Sequence, residues 1–173
     1  FPYTTLFRSY IRYWIETGAA YPGTYGALGA GCIGGYQRNE QFETDYEWQE
    51  TIAAKTAIQE RCFGCHQGDM QIPVALSDEN GLSFWQPQWD DPRLKRARHL
   101  AFNLSRPELS LMLLAPLAKE AGGYDLCRTG TETPSVFLNK DDPAYEAILA
   151  MCIAGEKRLG EIKRFDMEGY QPP

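Results

Sequence analysis

After Asp142-Pro143, apolar side chains recur at steps of three or four: Tyr145, Ile148, Leu149, Cys152, Ile153 and Leu159. That spacing predicts one amphipathic helix with a single apolar stripe. Trp48 to Arg61 (WQETIAAKTAIQER) carries no Gly or Pro and is rich in Ala, Glu, Gln and Lys, which predicts a second helix running into Cys62. Asp91-Pro92 pairs an N-cap residue with a proline at the first helical position, so a third helix is expected from there to about Phe102. Arg106-Pro107 opens the apolar stretch LSLMLLAPLAKEAGG, stopped by Gly122-Gly123. Tyr10 to Glu16 looks like the last turns of a helix halted by Gly18 and Pro22-Gly23, and IRYWIETGA (11–19) aligns loosely with ILAMCIAGE (148–156). Between these pieces lie a glycine-rich stretch at 18–47, read as a linker or a small hairpin, and a loop at 67–90 with Phe84, Trp85 and Trp89. No strand pattern competes, so the expected fold is all-α with long irregular loops.

Composition narrows the function classes. The 173 residues are 43% hydrophobic and 23% charged, a globular balance of about one domain's length. A net charge of −6 argues against a broad nucleic-acid surface. No run approaches the ~18 apolar residues of a membrane span. Residues 1–9 (FPYTTLFRS) spell the translation of a common short-read sequencing adapter in one frame, so the native chain is expected to start at Tyr10 as a piece of something longer. The expected organisation is an artefact at 1–9, the end of a preceding unit plus linker at 10–47, and one domain at 48–173.

Five Cys and two His remain to be assigned, and three of them sit together in Cys62-Phe63-Gly64-Cys65-His66. C-x-x-C-H is the attachment pattern for c-type haem. Two thiols add across the two vinyl groups on one porphyrin edge, two intervening residues let a backbone turn span that edge, and the next imidazole reaches the iron. Two other readings compete: a dithiol redox pair, which needs a βαβ context that is missing, and a zinc site, which lacks a second ligand cluster. The sixth iron position would fall to His99, on a separate predicted helix, or to Met112, Met151 or Met167, or stay open; Met70 lies too near the motif. Two strong axial ligands favour electron transfer, whereas an open position allows chemistry at iron.

Arg93, Lys95, Arg96 and Arg98 crowd around His99, so a guanidinium, Arg98 among them, could pair with a haem propionate, or the run could be a solvated face. Phe63, Phe84, Trp85 and Trp89 could wall the ring or simply pack. Covalent haem is attached outside the bacterial cytoplasm, where disulfides form. Cys152 lies on the apolar stripe and is expected to be a buried free thiol, which leaves Cys32–Cys127 as the expected pair.

The strings CFGCH, LSDENGLSFW (76–85), RHLAFNLSRPELSLMLLAPLAKEAGGYDLC (98–127), DDPAYEAILAMC (141–152) and EIKRFDM (161–167) resemble planctomycete-type cytochrome c domains. The likeness is to the C-terminal haem domain of hydrazine synthase alpha-subunit-like proteins, over residues 10–173. It implies a cytochrome c-like helical fold, one covalent haem c, Cys62 and Cys65 as thioether anchors, His66 as proximal ligand and His99 as distal ligand. It also implies an upstream domain of the same chain, commonly a β-propeller in that family, and a redox partner protein in an exported, periplasmic or equivalent compartment. It does not carry hydrazine synthesis itself. The resulting expectation is an electron-relay domain. A catalytic haem domain with a displaceable sixth ligand and a cysteine-stapled or zinc-binding interaction module are the alternatives.

Overall fold

Gln49–Cys62 forms helix α1, and its buried residues Thr51, Ala54, Ala57 and Ile58 keep to one face by their three- and four-residue spacing. Two alanines on that face let a second helix approach closely. That partner is α4, Pro143–Glu161, and the two helices pack along each other as the main contact of the fold. The computed structural model describes residues 45–81, 90–128 and 133–161, together with Arg12; of Leu94, His99, Leu159 and Gly160 it describes the backbone alone. The expected helix end at 10–16, the glycine-rich stretch, Cys32, Phe84, Trp85, Trp89 and Met167 lie outside the described residues.

The described chain is helix-rich, in keeping with an all-α fold. Its β pairing among the described residues is one isolated parallel bridge, Leu117 to Phe137. Helix α4 starts as the sequence predicts: Asp142 Oδ1 accepts the Ala144 N–H at 2.8 Å, a side-chain cap ahead of Pro143. Its stripe is rotated, however. Tyr145, Ile148, Met151 and Cys152 are buried, whereas Ile153 is 49% exposed. At about 100° per residue the buried set centres near Ile148, and Ile153 falls about 130° further round. Gly155 continues the buried face, and a Cβ there would press on the Leu76 and Leu104 side chains.

The two expected middle helices are broken into short turns. Asp91 Oδ1 does cap the next turn, accepting from Arg93 N at 2.8 Å. That turn is the 3-10 segment Pro92–Arg96, and Ala97 (ψ 149°) leaves helical space before α2, Arg98–Ala101. Further on, a 3-10 turn at Pro107–Leu109 is separated by extended Ser110 from α3, Leu111–Leu114. Pro116, lacking an N–H, cannot prolong α3. These pieces supply Phe102, Leu104, Met112, Leu113 and Leu117 to the core beneath α1 and α4. Phe137 completes it, edge-on to Tyr145 at 5.9 Å.

Gly122 (φ 90°) and Gly123 reverse the chain after Lys119–Ala121. A Cβ on Gly123 would overlap the Leu117 carbonyl, so this approach requires glycine. The returning segment then donates Tyr124 N to Leu114 O (2.7 Å), Leu126 N to Ala115 O (2.7 Å) and Asp125 N to Leu117 O (2.9 Å).

Candidate functional site

The last turn of α1 continues straight into the C-x-x-C-H motif. The Cys62 carbonyl accepts both the Cys65 N–H (3.1 Å) and the His66 N–H (2.9 Å), which folds the motif into a tight turn on the helix end. Gln67 Nε2 braces it by donating to Phe63 O at 2.6 Å. Cys62 is half-buried and Cys65 exposed.

His66 is held through one ring nitrogen. Its Nδ1 lies 2.9 Å from the Met70 carbonyl, an acceptor only, so Nδ1 carries the proton and donates. The lone pair is thereby placed on Nε2, the arrangement that ligating histidines use. The Met70 carbonyl is in turn fixed by the turn Gly68–Met70, which Gly68 enters at φ 54°. Arg96 grips both sides of that carbonyl, donating Nη2 to Asp69 O and Nε to Gln71 O (3.4 Å). Asn80 Nδ2 adds a bond to Gln71 O at 2.9 Å. Sequence reasoning identified His66 but missed the Met70 carbonyl, Asn80 and this use of Arg96. Gly68 was the one local signal of the turn.

The basic cluster is largely engaged by loops. Arg93 pairs with Asp91 (2.7 Å) and reaches the Asn80 and Gly81 carbonyls. Arg98 is buried, donating to Leu76 O at 3.0 Å and pairing with Glu79 at 2.8 Å. Lys95 is exposed. His99 lies on α2, three residues beyond Arg96, and its side chain is outside the described residues. Of the methionines, Met112 and Met151 are core residues and Met70 is exposed. Phe63 packs against the core from a half-buried position.

The remaining cysteines are placed differently from each other. Cys127 carries a free thiol, and Cys32, its expected partner, lies outside the described residues; after the glycine reversal at 122–123, Cys127 comes close enough to the motif to be raised by Cys65. Burial pushes the Cys62 thiol up to about 11, with Cys127 raising it further, Arg61 opposing and Cys65 adding a little. Burial likewise raises Cys127, with Cys65 and then Asp125 contributing. Among the described residues, no three His, Cys, Asp or Glu side chains converge as a metal site would need.

Cys152 is a buried free thiol, as its place on the stripe predicts. Burial pushes it up to about 12, and the Ser110 hydroxyl, donating to Sγ at 3.6 Å, opposes that rise. A thiol raised in the folded state contributes stability that is full below its unfolded value near 9 and is lost as pH climbs toward 12. The unfolding free energy is therefore expected to fall over that window. Urea titrations at stepped pH should show a shallower fall for Cys152→Ala than for the parent. Equal slopes would show that Cys152 does not titrate with unfolding. Cys62 acts in the same sense between 9.0 and about 11, so the flattening is partial.

No protein-family model, no curated protein and no solved structure matches the chain.

Proposed function

We propose that this chain is a c-type cytochrome domain of a larger exported protein, relaying single electrons through one covalent haem c. The observation that supports the reading best is the His66 imidazole with Nδ1 donating to the Met70 carbonyl, directly after two thiols on a helix-end turn. The residues fit such a group. Half-buried Cys62 and exposed Cys65 would anchor it at an edge of the domain, and His66 Nε2 is set to bind iron. When bound, haem supplies the one-electron redox step.

The chain's own part is positional. The Met70 carbonyl holds the His66 ring in one orientation and one tautomer. Arg96 and Asn80 keep that carbonyl in place. His99 would be the second residue to hold the iron, which would favour electron relay over chemistry on a substrate. An upstream domain and a redox partner protein are part of the same proposal.

The test is the spectrum of the protein matured by an export and haem-attachment system. Haem that stays on the denatured polypeptide and a low-spin reduced spectrum are the expected results. Carbon monoxide should not bind at neutral pH in the parent and should bind in His99→Ala. A polypeptide that carries no haem after such maturation overturns the proposal. Carbon monoxide binding to the parent replaces the relay with a catalytic haem.

A further inference from the structure

A third thiol shares the patch that holds the haem-attachment pair. Arg61, the residue before Cys62, donates Nη2 to the Val136 carbonyl at 2.8 Å and lies 5.8 Å over the Phe137 ring. The same short segment is gripped from the other side. Ser135 Oγ donates to Asp125 Oδ1 at 2.8 Å, and Arg128 Nη2 donates to Ser135 Oγ at 3.2 Å. Residues on both sides of Cys127 and the residue preceding Cys62 thus hold one stretch of chain between them. The Cys127 and Cys62 thiols are both half-buried and unpaired; Cys127 is close enough to raise Cys62 by its charge, and Cys65 is close enough to raise Cys127. Cys127 acts on Cys62 more strongly than Cys65 does, although Cys65 is its neighbour within the motif.

We propose that Cys62 and Cys127 form an intramolecular disulfide before any haem is attached, making Cys127 a protecting partner for the first anchoring thiol. The oxidant is a disulfide, either glutathione disulfide or the disulfide of an exported thiol oxidase. One protein thiolate attacks it and forms a mixed disulfide; the second attacks that and closes the Cys62–Cys127 bond. The oxidant's S–S bond breaks, two electrons pass to it, and the two thiol protons end on its departing sulfurs. A dithiol reductant reverses the step. Both thiols are poor leaving groups because burial raises them, so reopening is slow. In the closed state Cys62 cannot form a thioether, so reduction becomes a precondition for haem attachment. This consequence rests on the cytochrome reading; the disulfide does not.

The test uses the full haem-free chain, equilibrated in glutathione and glutathione disulfide at about pH 8, quenched with acid, alkylated and digested with trypsin. Cys62 and Cys65 fall in peptide 62–93, Cys127 in 120–128 and Cys32 in 13–38. Expected is a cross-link between 62–93 and 120–128 that persists in Cys65→Ser and vanishes in Cys127→Ser. Several results overturn the proposal: a Cys62–Cys65 disulfide with Cys127 alkylated, a link from 120–128 to 13–38, a cross-link lost in Cys65→Ser, or no disulfide at all. Haem on the export-matured protein is a separate readout, so failure of the cytochrome reading is distinguishable from failure of this one.

Discussion

Replacing Asp45 by Ala is expected to lower the unfolding free energy by about 3–5 kcal/mol, among the largest single-residue effects in this chain. Asp45 is fully buried ahead of α1. Its Oδ2 accepts from Thr51 Oγ1 (2.9 Å) and from Leu76 N (2.8 Å). Its Oδ1 accepts from Ser77 N (3.0 Å) and Ser77 Oγ (2.6 Å). One carboxylate therefore ties the first turn of α1 to the 76–77 loop, which packs on α4 through Leu76. Without it, four donors are left in a site largely closed to water. Each bond to a charged acceptor contributes about 1.5–3 kcal/mol, and relaxation recovers only part of the sum. Asp45→Asn should lose less, since one oxygen can still accept while the amide opposes a backbone N–H. Urea unfolding of parent, Asp45→Ala and Asp45→Asn measures the order. A loss below about 1 kcal/mol for Asp45→Ala would mean that the network is not a clamp.

Under the cytochrome proposal, Cys62→Ser combined with Cys65→Ser should abolish covalent haem, leaving none on the denatured polypeptide. A hydroxyl is a far weaker nucleophile than a thiol and forms no thioether, so neither vinyl group can be captured. His66 and its bond to Met70 survive the change, so haem bound in the folded state should be removable on unfolding. Cys152→Ser lies in the core and Cys127→Ser beside the motif, and both should keep covalent haem. Haem staining of denatured samples reads all three variants together. Covalent haem persisting in the double variant would show that the motif is not the attachment site. Loss in Cys127→Ser as well would show that attachment depends on Cys127, although haem's two vinyl groups leave no third thioether to form.

Much of the local structure was legible. The absence of breakers predicted α1, and the Asp-Pro pairs at 91–92 and 142–143 both supply the side-chain caps their sequence suggests. Caps and turns are short-range chemistry, set by residues two or three apart. The stripe of α4 was read only in part. Leu149 and Ile153 are as apolar as Ile148, and only the position of α1 decides which arc of the helix is covered. The middle helices broke for a similar reason. Ala97 and Ser110 turn extended where the chain has to wrap around the core, and helix propensity is too small to prevent it.

The candidate site divides in the same way. The order Cys62, Cys65, His66 is local, and so is its chemical meaning as a possible haem anchor. The sequence by itself therefore determined the helical class, the two capped starts, the buried Cys152 thiol and the motif. The tertiary structure alone decided that Asp45 joins the core, that Arg96 holds the carbonyl behind His66, and that Cys127 is a free thiol beside Cys62. Those partners lie 25 to 65 residues apart. Their meeting depends on loop closure, on a reversal that only glycine permits at 122–123, and on satisfying buried polar groups once the helices have packed. No spacing rule along the chain encodes such meetings, because they are products of the whole fold's packing.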